Sequence, residues 1–299
     1  FARCQETPGC FIHTADPRSV FEVSEAEREA FWEQRYGEPG FGIWMGNFRD
    51  VLTDLEANKL MSEFLARKIR QRVRDPKVAE KLIPKSYGFG MRRVPMESGY
   101  FEVYNQPNVE LVDLAETPIE RVTSRGIKTG GTEYELDMII YATGFDAITG
   151  AFDRIDIRGL GGASLKDKWA DGPVTLLGIL ADGFPNFMMV MGPHAGLGNF
   201  PRAVEFTSDW VTDLIRHARD QGFTHVDATP EAAQAWTEHV IEANEGLLFA
   251  DVDSWMTGVN RNVAGKHVRR VMRYSGGHPA FREHCDAVSG SGYRELSMS

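Results

Sequence analysis

The run Met138-Ile-Ile-Tyr141 passes without a break into Ala142-Thr143-Gly144-Phe145-Asp146, and no other stretch constrains the fold as much. Four consecutive apolar residues of this kind read as a β-strand buried on both faces, which requires neighbouring strands and a covering layer on each side. Small residues at the carboxyl end of such a strand let a ligand or a second backbone approach closely, and open α/β sheets bind their ligands at that end. Taken alone, the stretch is equally well explained as a tight turn that needs glycine.

Its surroundings agree with an α/β protein. Residues 109–112 and 119–122 are extended runs, and residues 126–129 and 133–136 flank Gly130-Gly131 as the arms of a hairpin would. Further apolar runs lie at 174–180 and 187–191. The first ninety residues read instead as helices and loops. Ser24-Glu-Ala-Glu27 is a capping box that predicts a helix to about Tyr36, ended by Gly37 and Pro39-Gly40. Residues 52–74 place Leu55, Leu60, Phe64 and Ile69 near helical spacing, and Asp75-Pro76 then caps a third helix closed by Pro84. Later helices are predicted over residues 202–219, with Phe206, Trp210, Leu214 and His217 on one side, and over 230–246.

A chain of 299 residues holds about two domains, and 42% hydrophobic and 25% charged residues exclude a disordered or collagen-like protein. The formal charge of −10 argues against nucleic acid or an anionic membrane as partner, although a local basic patch could hold a phosphate. No stretch approaches the ~18 apolar residues of a membrane span. Cys4, Cys10 and Cys285 have no metal-ligand spacing and read as free thiols in a reducing, cytoplasmic setting.

Several motifs together resemble the Baeyer–Villiger monooxygenases, ketone-oxidising flavoproteins that use FAD and NADPH. They are Pro84-Lys-Ser-Tyr-Gly-Phe-Gly-Met-Arg-Arg93, Gly99-Tyr-Phe-Glu, Asn105-Gln-Pro-Asn-Val109, the Ala142–Asp146 turn, Asp156-Ile-Arg-Gly159, Lys168-Trp-Ala-Asp-Gly-Pro173, Phe184-Pro-Asn-Phe187 and Asp253-Ser-Trp-Met-Thr-Gly258. The family's GxGxxG loops for FAD and NADPH are absent, and the GxG triplets at Gly88, Gly159 and Gly196 lack the third glycine. The resemblance therefore implies the C-terminal portion of such an enzyme, an α/β two-dinucleotide-binding-domain flavoprotein with Rossmann-like FAD and NADP domains, lacking its N-terminal half. It implies a helical segment over residues 1–91 inserted in the NADP domain, the remainder of that domain over 92–141, and the second half of the FAD domain over 142–299, with a mobile lid at about 251–273. Its implied partners are a ketone, O2 and the missing N-terminal half. Alone, the chain is expected to bind little FAD.

The same resemblance assigns roles to residues. Arg93 falls on the arginine that stabilises the C4a-peroxyflavin, and Arg92 on the position that helps to hold the NADP 2′-phosphate. Without the resemblance the pair reads as a solvated basic pair. The chemistry favours arginine, because a guanidinium neutralises an oxygen anion without protonating it. Ala142, Thr143 and Gly144 are implied at the cofactor, Asn199 and Phe200 near FAD and substrate, and Trp255 as a lid residue donating its indole N–H to NADP. The lid run from Asn260 to Lys266 is two residues longer than the family pattern, and the 192–202 loop is shorter. His194 reads as a loop histidine, residues 67–74 as a solvated helix face, and Met188, Met189 and Met191 as core filler. Two alternatives stay open: an N- or S-oxygenase or hydroxylase of the same fold, and a truncated, non-catalytic binding or structural fragment.

Overall fold

Local capping signals set the helices of the first ninety residues. The computed structural model describes residues 2–196 and 198–299. A helix spans Glu25–Gly37, and at its start Ser24 Oγ accepts from the Glu27 amide while the Glu27 carboxylate accepts from the Ser24 amide. Asp54 accepts from the Ala57 amide to begin the helix Leu55–Arg72, and Asp75 caps Pro76–Leu82. The first two helices bury Trp32, Met61 and Phe64 against Phe48 and Phe89, and the third packs Ala79 on Ile69 and Val73.

The basic face at 67–74 is not simply solvated. Arg67 reaches Glu29 at 2.5 Å, Lys68 reaches Glu33 at 2.8 Å and Arg70 reaches Glu80 at 2.6 Å, while Arg72 holds both Glu97 and Glu102. The acids belong to neighbouring elements, which a pattern read along one helix does not reveal.

The second half packs three helices, Phe200–Gln221, Pro230–Glu242 and His278–Gly290, around the apolar run at 176–180. Trp210, Leu214, Trp236, Phe281 and Cys285 fill that core. The two halves meet where Met91 packs on Leu248 and Val252, and where the Leu248 amide donates to Leu52 O at 3.1 Å.

Strands are few. β1 (Ile119–Val122), β2 (Gly126–Thr129) and β3 (Thr132–Glu135) form an antiparallel meander in that order, with Gly130-Gly131 turning the hairpin as predicted. β4 (Val226–Ala228) pairs antiparallel with β5 (Leu296–Met298). Among the described residues there is no other strand and no parallel sheet. Residues 109–112 and 138–141, expected as strands, have no ladder, and the latter are not buried: Ile140 is 82% exposed and the following Phe145 is 95% exposed. The runs at 174–180 and 187–191 supply core residues but make only single bridges, Leu176 to Leu180 and Leu180 to Met188. The physical reason is that a strand exists through its partners' backbone groups, and no described residue offers them to 138–141.

Candidate cofactor-facing site

The approach to Arg92 and Arg93 is built by one buried amide. Asn58, inside the Leu55–Arg72 helix, donates from Nδ2 to Val51 O at 2.8 Å and to Phe89 O at 2.7 Å, and Ser62 Oγ accepts from the Phe89 amide at 2.9 Å. Gly88 must be glycine, because a Cβ there would stand 1.8 Å from Asn58 Oδ1. Phe89 and Met91 are thereby buried, and the two arginines emerge exposed. The Arg93 guanidinium lies 5.3 Å from the Phe41 ring and 5.8 Å from the Trp44 ring, and Arg92 stacks 4.4 Å from Tyr87. Neither has a carboxylate partner among the described residues.

Arg92 meets the segment expected as a lid. An open cleft of about 450 Å³ is lined by Ser86, Arg92 and, from that segment, Asp251, Asp253, Arg261 and Arg269. Asp253 accepts from Arg261 at 2.6 Å and Arg269 at 2.8 Å, and those guanidiniums hold its carboxyl below the ordinary carboxylate range. Trp255 opens a short 3-10 helix, Trp255–Thr257, capped by Ser254; it is 38% exposed, and its indole N–H has no acceptor among the described residues.

Ala142, Thr143 and Gly144 lie exposed in irregular backbone. Gly144 has φ +78°, with open space where a Cβ would point. No hydrogen bond or ion pair joins these three residues to Arg92 or Arg93 among the described residues. Asn199 N-caps the Phe200–Gln221 helix, its amide donating to Gly9 O at 2.9 Å, and Phe200 is exposed on the first turn. The structure thus brings Arg92 to the segment that carries Trp255, with Arg93 beside it against Phe41 and Trp44.

His194 is buried in the loop before that helix. Its Nε2 lies 3.1 Å from Val271 O and its Nδ1 3.3 Å from Thr175 Oγ1. Burial pushes its pKa down to about 4, so near neutrality it is uncharged and serves to tie the loop to the end of the lid segment.

Sequence reasoning missed the contact that does join the Ala-Thr-Gly turn to the lid segment. Lys266 Nζ lies 2.9 Å from Asp146 Oδ2, 2.7 Å from Asp153 Oδ2 and 2.9 Å from Thr149 Oγ1. The available signal was Asp146, the acid that ends the Ala142–Asp146 turn.

No family model matches the chain. It is 46% identical over 297 residues to the 2-oxo-Δ3-4,5,5-trimethylcyclopentenylacetyl-CoA monooxygenase of Pseudomonas putida, covering 99% of this chain and 54% of the relative. It is 39% identical to a Baeyer–Villiger monooxygenase of Pseudooceanicola batsensis, covering 96% of this chain and 52% of the relative. A crystal structure of OTEMO in complex with FAD and NADP superposes over 100% of this chain and 55% of its own, at TM-score 0.94 and 45% identity. The chain belongs to the Baeyer–Villiger monooxygenases. It corresponds to their C-terminal portion and spans about half the length of the curated relatives that it matches. A further relative, 37% identical over 92% of this chain and 50% of its own length, is the phenazine N-monooxygenase PhzNO1 of Lysobacter antibioticus.

Proposed function

We propose that this chain is the C-terminal part of an enzyme that inserts one oxygen atom into a ketone beside its carbonyl. Ketone, O2, NADPH and a proton would give an ester or lactone, NADP+ and water. The observation that carries the reading is the adjacent pair Arg92-Arg93, held at the surface by buried Phe89 and Met91 and without a carboxylate partner among the described residues, in a chain of formal charge −10.

The residues fit the two cofactors in part. Arg92, with Ser86 and the lid arginines around the cleft, suits the phosphate of NADPH, and the open side of Gly144 leaves room for a flavin edge. Nothing in the chain suits the FAD pyrophosphate, since no GxGxxG loop is present. The exposed apolar residues Met138, Ile140, Tyr141 and Phe145 suit pairing with sheet strands supplied by the portion of the relatives that this chain does not span. With such partners, residues 92–141 would complete an NADP domain and residues 142–299 an FAD domain, with 1–91 as the helical insertion. Three free cysteines suit a cytoplasmic protein.

When bound, reduced FAD would supply the activation of O2. The chain's own part is electrostatic and steric. Arg93 would present a fixed cation to the anionic oxygen nucleophile, and at ~4 Å in a site of effective dielectric near 20 the attraction is about 4 kcal/mol. Expressed fully in the transition state, that is about a thousandfold in rate. Phe41 and Trp44 would keep the guanidinium plane oriented, and Trp255 would hold the nicotinamide cofactor and exclude water. The substrate class follows the relative acting on a cyclopentenylacetyl-CoA ketone, which makes a cyclic ketone the first compound to assay.

The test is Arg93→Ala in the full-length enzyme. Ester formation should fall about a thousandfold while NADPH oxidation continues. Oxygen insertion surviving within tenfold would remove Arg93 from the reaction. The phenazine N-monooxygenase favours a second reading, oxidation at nitrogen. An enzyme that oxidises heteroaromatic nitrogen and yields no ester from any cyclic ketone would establish it. FAD titration of this chain alone should show weak binding, and a tight stoichiometric complex would overturn the assignment of the pyrophosphate site to other residues.

A further inference from the structure

The loop from Asn260 to Lys266 is closed on itself and then pinned. The Asn260 amide donates to Lys266 O at 2.8 Å, the Val263 amide to Asn260 O at 3.1 Å, and the Lys266 amide to Val263 O at 3.2 Å. These bonds seal the loop, and Lys266 remains at its base. From there the Lys266 ammonium faces three oxygens, Asp146 Oδ2, Asp153 Oδ2 and Thr149 Oγ1, all within 2.9 Å. A lysine has three N–H donors, and here each has an acceptor. The second oxygen of Asp146 faces Asn260 Nδ2 at 3.4 Å, so both oxygens of that carboxylate look toward the lid loop.

The cluster is also sheltered. The side chains of Lys266 and Asp146 are 14% and 11% exposed, whereas those of Arg261 and Arg269 on Asp253 are largely in water. Exposed pairs contribute little to holding two segments together, while removing one partner of a sheltered and fully hydrogen-bonded pair leaves a charge uncompensated. The Asp253 pairs also join residues of the lid segment to each other, whereas Lys266 pairs with Asp146 and Asp153 outside it, so the Lys266 contacts are the ones that fix the position of the segment.

We propose that Lys266 is a positioning residue that registers the lid against the turn following Gly144, so that closure over the nicotinamide cofactor and the geometry of the Ala142–Asp146 segment are set together. This rests on the lid reading given above. The link is short: Asp146 is two residues from Gly144, and Lys266 leads through Arg269 and Val271 to the cleft beside Arg92 and to His194. Without the tie, the lid would close in many registers, and reducing equivalents would pass from NADPH, with a proton and O2, to NADP+ and H2O2 instead of to ester.

The experiment compares Lys266→Met, Lys266→Arg, Asp146→Asn and Trp255→Ala in the full-length enzyme. Three quantities are measured: amide hydrogen exchange of residues 260–266 without NADPH, KM for NADPH against kcat, and the share of NADPH that ends as H2O2. Lys266→Met should raise exchange across 260–266 at least tenfold, raise KM severalfold more than it lowers kcat, and at least triple the peroxide share. Lys266→Arg should recover most of the peroxide loss, and Asp146→Asn, which keeps the shape of the site, should follow Lys266→Met if that variant folds poorly. Unchanged exchange and unchanged peroxide share in both Lys266→Met and Asp146→Asn would overturn the proposal. If Trp255→Ala leaves KM and peroxide share untouched while Lys266→Met still frees the loop, the lid reading fails and the tie itself stands. The reverse pattern sinks the tie alone.

Discussion

Replacing Asn58 by alanine should both destabilise the fold and displace the arginine pair. Its Nδ2 satisfies two buried carbonyls, Val51 O and Phe89 O, at 2.8 Å and 2.7 Å, and Asn58 itself is 3% exposed. Alanine removes both donors and leaves a space beside Gly88, whose missing Cβ would otherwise meet the Asn58 side chain. An unsatisfied buried polar group costs about 1–3 kcal/mol, so two carbonyls give a loss of about 2–6 kcal/mol. Asn58→Asp should be at least as harmful, since it keeps the volume but sets a carboxylate against two carbonyl oxygens. The assay is urea unfolding of the full-length protein, with the midpoint followed at constant m. Because the 88–91 segment carries Arg92 and Arg93, the folded fraction of Asn58→Ala should also bind NADPH more weakly. A stability loss under ~0.5 kcal/mol, the ordinary scatter of surface substitutions, would refute the account of what holds that segment. So would Asn58→Asp matching the parent protein.

Two further outcomes follow from burial. His194 has its folded pKa pushed down to about 4 from an ordinary 6.5, so the unfolded chain takes up its proton first as pH falls. Its contribution is complete above about pH 6.5 and disappears progressively toward pH 4, about 3 kcal/mol in all, and His194→Gln should flatten that part of the stability–pH curve. Gly178→Ala should cost about 3 kcal/mol or more: Gly178 has φ +64°, and a Cβ would stand 2.3 Å from the Ala195 amide nitrogen, an atom of backbone that cannot swing aside. A Gly178→Ala protein with parental thermal stability would contradict that contact.

The sequence alone was enough for everything governed by nearest neighbours along the chain. Ser24 with Glu27, and Asp75 with Pro76, determined where two helices begin, because a cap bonds amides two or three residues away, whereas the helix expected from residue 52 begins at Leu55 behind the Asp54 cap. Gly130-Gly131 determined a hairpin for the same local reason. Motif resemblance supplied the family, and the comparisons agree with it. Tertiary structure decided what depends on distant partners. The apolar run at 138–141 has the composition of a buried strand and is exposed, because burial and ladder pairing belong to the neighbours of a strand and not to its own residues. Asn58 looked like any polar residue in an amphipathic helix until Phe89, thirty-one positions later, was found to rest on it. Lys266 and Asp146 are 120 residues apart, and only folding makes them one site.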